Sequence, residues 1–208
     1  MAGVNLLLRV FEPENLQDRP LLLSRLMVMI NDAYSEIDAQ GSFPRLSNPD
    51  SLWREFAPDG ICAIIQDLTN DNVPVAIAGA KRWEKHSVES GVNTLCNEWE
   101  ISAVASRNDL RYRRAGLVER CLNVLRDRLM QTSSGQCVCL WVKVESGIRV
   151  DYWSKKGFMP VGEPWTVPVG EWHPDLGFTG VNMRRTFTKS TNDAAFLNSS
   201  FRRSDEAK

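Results

Sequence analysis

The 208 residues predict a mixed α+β fold, a mostly antiparallel sheet flanked by helices, on three observations. Short apolar runs bounded by turn residues recur as strands, and two long segments carry apolar residues at the spacing of a helix face. Thr69-Asn70-Asp71-Asn72 lies between two of the strand-like runs and reads as a hairpin turn. With 43% hydrophobic residues the chain can build the core of a single domain, expected over residues 1–189. Residues 190–208 are polar, charged and aperiodic, and predict a poorly ordered tail.

In chain order, residues 4–11 form an apolar run stopped by Pro13 and read as a strand. Residues 16–37 place Leu22, Leu23, Leu26, Met29, Ile30 and Ala33 on one broad face and read as one long helix. Residues 41–49 read as loop. Asn48 as N-cap and Pro49 as first helical residue open a short helix to Phe56, which Pro58-Asp59-Gly60 ends. Strands over 61–68, 73–83 and 99–105 make an antiparallel meander. From Gly116 to Met130, Leu117, Cys121, Val124, Leu125 and Leu129 define an amphipathic helix with a charged outer face. Residues 136–144 add a strand, 148–156 a helix closed by Gly157, 158–161 the start of another strand, and 178–188 the last. Between these strands, residues 162–174 hold three prolines and two tryptophans and read as a stiff aromatic flap.

A formal net charge of -1 excludes the global basic excess of a dedicated nucleic-acid binder, so any polyanion held here is expected to be small. No stretch reaches the about 18 to 20 consecutive apolar residues that span a bilayer, which predicts a soluble, unprocessed chain without a membrane partner. Cys62, Cys96, Cys121, Cys137 and Cys139 are an odd count in mostly apolar patterns. They are expected as free, buried thiols in a reducing, cytoplasmic compartment. With His86 and His173 the only histidines and no C-x-x-C pair, no metal cofactor is expected.

The stretch richest in chemistry is Glu98-Trp99-Glu100-Ile101-Ser102-Ala103-Val104-Ala105, followed by Arg111-Tyr112-Arg113-Arg114-Ala115-Gly116-Leu117 and the amphipathic helix. A strand, a basic loop with a glycine and a helix start make a site for a phosphorylated ligand, because unpaired N–H groups and the positive helix end face the anion. Three arginines at a helix start oppose the macrodipole, and a bound anion resolves that conflict. These residues point to a nucleotide-like cofactor.

The order of elements over residues 4–188 resembles the GCN5-related N-acetyltransferase (GNAT) superfamily, and two segments carry the specific likeness. Arg111-Tyr112-Arg113-Arg114-Ala115-Gly116 is similar to the acetyl-CoA motif Q/R-x-x-G-x-G/A, with Arg114 in place of the first glycine. Tyr152-Trp153-Ser154-Lys155-Lys156-Gly157-Phe158 is similar to the late Y-x-K-x-G-F signature, with Trp153 in the register of the tyrosine and Tyr152 one position earlier. The resemblance implies the GNAT acyl-CoA N-acyltransferase fold and acetyl-CoA as cosubstrate. It places Ala103, Val104 and Ala105, with Ser102, along the pantetheine arm through their backbones. Arg111, Tyr112, Arg113, Arg114, Ala115, Gly116 and Leu117 then surround the pyrophosphate, with Trp153 on the cofactor as well.

For chemistry, the resemblance implies direct acetyl transfer from the thioester to an amine in a ternary complex. Glu98, six residues before Val104, matches the superfamily's general base, and Glu100, on the same strand face, is its competitor. Either Tyr152 or water protonates the departing thiolate, since an indole N–H at Trp153 cannot. The acceptor is expected between residues 34–53 and 163–177, which carry Tyr34, Phe43, Trp53, Trp165 and Trp172, with Glu36, Asp38, Glu163 or Glu171 to attract a cation. That lining favours a small-molecule amine; a peptide or protein N-terminus, or acyl-CoA binding without transfer, are the alternatives. A homodimer through the late strands is a further implication of the resemblance.

Overall fold

The computed structural model describes residues 4–35, 44–84, 96–169 and 177–189. The predicted tail, His86, Glu36, Asp38, Phe43, Glu171, Trp172 and His173 lie outside the described residues. Strand β1 (Leu6–Phe11) leads into α1 (Pro13–Gln17) and α2 (Pro20–Ser35), followed by α3 (Asp50–Phe56). Strands β2 (Ile61–Asp67), β3 (Val73–Arg82) and β4 (Cys96–Ser106) precede α4 (Leu117–Thr132) and β5 (Cys137–Glu145). The chain continues through α5 (Ile148–Lys155), β6 (Met159–Pro160), β7 (Trp165–Val167) and β8 (Phe178–Thr188). All eight strands join one mixed sheet in the order β1-β2-β3-β4-β5-β8-β6, with β7 also on β8, and among the described residues only the β4–β5 pair is parallel.

Two departures from the sequence reading have local causes. The single helix expected over 16–37 is two, because Pro20 has no N–H to donate to a preceding turn and instead opens α2. Residues 165–167 of the expected flap are strand β7, seated where Gly180 lacks a side chain. A Cβ at Gly180 would stand 2.5 Å from the Trp165 ring.

Each face of the sheet has its own core. Helix α4 buries Leu117, Cys121, Leu122, Leu125 and Leu129 on one face, while α1, α2 and α3 bury Leu16, Leu23, Leu26, Met29, Ile30, Leu52 and Phe56 on the other. Each fully buried aliphatic side chain contributes about 1.5–3 kcal/mol, so α4 is fixed by its inner stripe and not by its charged outer face. Gly79 makes room for Phe56, whose ring would stand 2.1 Å from a Cβ there.

Strand β4 changes face part-way along. Gly79 pairs with Ser102 and Ile77 with Ala105, so Ala103 and Val104 together oppose Ala78, and Ala103 takes φ +50. As a result Trp99 and Ile101 enter the α4 core, whereas Ala103 and Ala105 enter the opposite core. This bulge also coincides with the parting of the central strands. Pairing between β4 and β5 ends at Glu100 and Trp141, while β5 runs on to Glu145 against β8.

The parallel register also brings Cys96 opposite Cys137, and the two form a disulfide with Cα atoms 4.5 Å apart. This corrects the expectation of five free thiols and removes the ground for a reducing compartment. Cys62, Cys121 and Cys139 are free and buried; burial pushes the Cys62 thiol up and the Cys121 thiol up to about 12, which keeps both protonated. No helix among the described residues is long and apolar enough to cross a membrane.

Candidate active site

Past Glu100 and Trp141 the two strands part, leaving Ser102–Ser106 of β4 unpaired with the end of β5. Beyond β4 the chain turns through residues 107–116 into α4. Gly116 is the N-cap in the left-handed conformation, φ +65, with open space where a Cβ would be. Among the described residues, the N–H groups of Leu117, Val118 and Glu119 have no backbone acceptor and no side-chain cap. Three unpaired donors at the positive end of a 16-residue helix form an anion cradle.

The loop residues divide into anchors and candidates for ligand contact. Arg111 grips Asp109 through Nε at 3.2 Å and Nη2 at 2.8 Å, and this hydrogen bonding holds the Asp109 carboxyl down to about 2. Arg113 Nε donates to Asn108 Oδ1 at 2.5 Å. The Tyr112 hydroxyl donates to Asp67 Oδ2 at 2.8 Å, with the ring buried. The side chains of Tyr112 and Leu117 are buried in the α4-side core, while the Leu117 N–H faces outward at the helix start. Ala115 is exposed and its N–H donates to Tyr112 O at 3.3 Å.

Arg114 is the departure from the motif, and its backbone departs little. At φ +56 it adopts the left-handed conformation that glycine takes freely, at a cost of about 1–2 kcal/mol for an L-residue. Its side chain is exposed and, among the described residues, has no hydrogen-bond or ion-pair partner.

The candidate bases lie on the face of β4 that looks away from α4. Glu98 is half-buried opposite Cys139. Glu100 is buried and ion-paired to Lys143 at 3.0 Å and Lys81 at 3.9 Å, so its oxygens are engaged by two ammonium groups. Beside this pair, Trp83 stacks on Trp141 with centroids 4.7 Å apart, Lys143 Nζ lies 4.9 Å from the Trp83 centroid, and Arg184 lies 5.3 Å from that of Trp141.

On α5, the structure separates the two aromatics of the late signature. Trp153 is buried, packed edge-on against Phe158 at 4.9 Å, and belongs to the α4-side core. Tyr152 is 43% exposed and sits under Lys156 Nζ at 4.9 Å; Lys156 in turn is ion-paired with Glu119 in the first turn of α4. Burial raises the Tyr152 pKa, which keeps the phenol protonated at neutral pH and able to donate. Its ion-paired neighbour Lys156 ties Tyr152 to the anion cradle.

The acceptor side contains a cluster that sequence spacing did not reveal. Glu55 Oε1 accepts a hydrogen bond from Ser102 Oγ and another from Arg45 Nη2 at 2.8 Å. Burial raises the Tyr34 pKa, against the lowering effect of the nearby Arg45 charge. Trp53 is half-buried against the α2 core, and Glu163 is exposed. No local signal could have found the Glu55–Ser102 contact, since 47 residues separate the partners.

A sheet whose central parallel pair parts at a bulge, ahead of a helix start with free N–H groups, is the architecture of the GNAT acyl-CoA N-acyltransferases, and that is the fold of this chain. NAA60 from Arabidopsis thaliana, solved with a bisubstrate analogue, has a TM-score of 0.61 at 11% identity, over 88% of this chain and 100% of that one. A putative acetyltransferase from Acinetobacter baylyi has a TM-score of 0.57 at 14% identity, over 90% and 94%. An acyl-CoA N-acyltransferase from Pseudomonas aeruginosa has a TM-score of 0.54 at 15% identity, over 87% and 99%. No protein-family model and no curated protein matches the sequence.

Proposed function

We propose that this protein is an acetyl-CoA-dependent N-acetyltransferase acting on a small-molecule amine. The observation that carries the reading is the parting of β4 from β5 after Glu100, followed along the chain by the unpaired N–H groups at the start of α4. Two similar structures hold such ligands: NAA60 in complex with acetyl-CoA, and the NatC complex bound to a peptide and CoA.

In this reading the pantetheine arm lies along the backbone of Ala103, Val104 and Ala105. The pyrophosphate meets the N–H groups of Leu117, Val118 and Glu119, with Arg114 extending over it. A backbone N–H at the bulge polarises the thioester carbonyl. Glu98, directly or through water, removes the amine proton; the nitrogen attacks the carbonyl carbon, the C–S bond breaks, and Tyr152 or water protonates the thiolate. Glu100 is assigned a different task, holding Lys143 at the edge of the cleft.

The acceptor reading rests on aromatic walls, Tyr34 and Trp53 on one side and Trp165 on the other, which suit a compact amine more than an open chain. The likeness to the NatC complex, solved bound to a Gag peptide and CoA, favours a second reading, a peptide as acceptor. Calorimetry with acetyl-CoA, followed by mass-spectrometric assay of a panel of free amines and free-N-terminal peptides, separates the readings. Absence of acetyl-CoA binding by the intact chain would overturn both.

A further inference from the structure

We infer that Glu55 is a positioning residue of the acceptor site, fastening the segment 44–49 to β4 beside the bulge through Arg45 and Ser102. The inference rests on the N-acetyltransferase reading. Ser102 is the last residue before Ala103 and shares a face with Glu98 and Glu100, so its hydroxyl stands on the acceptor side of the place where the thioester would lie. One carboxylate oxygen takes both the Ser102 hydroxyl and the Arg45 guanidinium, and the Glu55 side chain is only 12% exposed.

A second fastening makes the segment a fixed wall. Leu46 N–H donates to Asn31 Oδ1 at 2.9 Å, and Asn31 Nδ2 donates back to Leu46 O at 3.0 Å, which ties the same segment to α2. The Arg45 guanidinium, held by Glu55 at 2.8 Å, is thereby set relative to the strand that carries the reacting centre. Removing the Glu55 carboxylate strands Arg45 and Ser102 together, and the Arg45 end of the segment then loses its link to β4 while the Asn31 tie and the buried Leu46 side chain remain. Glu55 itself, occupied by two donors, orients the acceptor wall and is not the proton acceptor.

The test uses the full chain with Glu55→Ala, Glu55→Gln and Ser102→Ala, assayed with acetyl-CoA against tryptamine, phenethylamine and a free-N-terminal tetrapeptide. For whichever amine the wild type acetylates, Glu55→Ala should raise KM about tenfold while KM for acetyl-CoA stays within about twofold. Glu55→Gln, which keeps an oxygen acceptor, should recover most of that loss. An unchanged amine KM, or acetyl-CoA affinity falling in step, overturns the inference. Should thermal melting show Glu55→Ala unfolded, Ser102→Ala, which deletes a single hydroxyl, is read for the same split.

A wild type that binds acetyl-CoA but acetylates none of these amines would count against the proposed function, and trypsin cleavage after Arg45 then tests Glu55 alone. Cleavage faster by about fivefold or more in Glu55→Ala, at native melting temperature, supports the fastening; an equal rate refutes it.

Discussion

The Tyr112 hydroxyl donates a 2.8 Å hydrogen bond to Asp67 Oδ2, tying the loop that starts α4 to the hairpin between β2 and β3. Asp67 also accepts from Thr69 Oγ1 at 2.7 Å and Thr69 N at 2.9 Å, so one buried carboxylate organises both turns. The anion cradle thus inherits its position from a strand hairpin two elements earlier.

Replacing Tyr112 with Phe should cost about 1.5–3 kcal/mol in chemical denaturation, the range for a hydrogen bond to a charged group. Hydrogen bonding from Thr69, then from Tyr112, lowers the Asp67 pKa against the opposing effect of burial. A depressed carboxylate pKa gives stability that is present above the unfolded value near ~3.9 and lost as pH falls through the folded value. Without Tyr112 the folded pKa is depressed less, so the smaller Asp67 contribution is lost at higher pH. Circular dichroism of acid unfolding should show the variant's midpoint moved upward.

At Gly116, a tryptophan should block the open space over the cradle and weaken acetyl-CoA binding by about a hundredfold, since both the left-handed backbone and the approach of the pyrophosphate are lost. Unchanged calorimetric affinity would remove the loop from the cofactor site.

Arg114→Gly separates backbone from guanidinium. It relieves about 1 kcal/mol of left-handed strain, so thermal stability should hold or rise, while acetyl-CoA affinity falls several-fold with the lost charge. An affinity that rises with stability would assign Arg114 no contact with phosphate.

The two glutamates should part in kinetics. Glu98→Gln should lower kcat by about a hundredfold or more, with acetyl-CoA affinity kept. Glu100→Gln leaves Lys143, whose side chain is 15% exposed, with less opposing charge, and should lower the melting temperature more than Glu98→Gln does. Full turnover by Glu98→Gln across the pH range would show that the base lies elsewhere.

Ala103→Val tests the bulge. A β-branched residue resists φ +50, and the site is buried, so a loss of about 2 kcal/mol or more in stability is expected together with weaker acetyl-CoA binding. Stability equal to the wild type would mean that β4 repairs its register and that the cleft does not depend on this residue.

Much of the fold was legible because it is local. The stripe of Leu117, Cys121, Leu125 and Leu129 needs only the period of a helix, and all four are buried on α4. The loop was legible from Arg111 to Gly116 for the same reason, a strand end and a helix start set by adjacent residues. The motif could not show that the side chains of Tyr112, Leu117 and Trp153 are buried in the core, because a motif fixes where the backbone runs and not which way each side chain leaves it.

Most of the order of strands and helices, the apolar faces of α2 and α4, and the glycine loop ahead of α4 were set by sequence alone, since each depends on residues within a turn or two; the α1–α2 break and β7 were not. Tertiary structure alone decided the face change at Ala103, the pairing of Cys96 with Cys137 and the bonding of Glu55 to Ser102. Those follow from strand register and helix placement, which bring together residues up to 47 positions apart, beyond the reach of any local period.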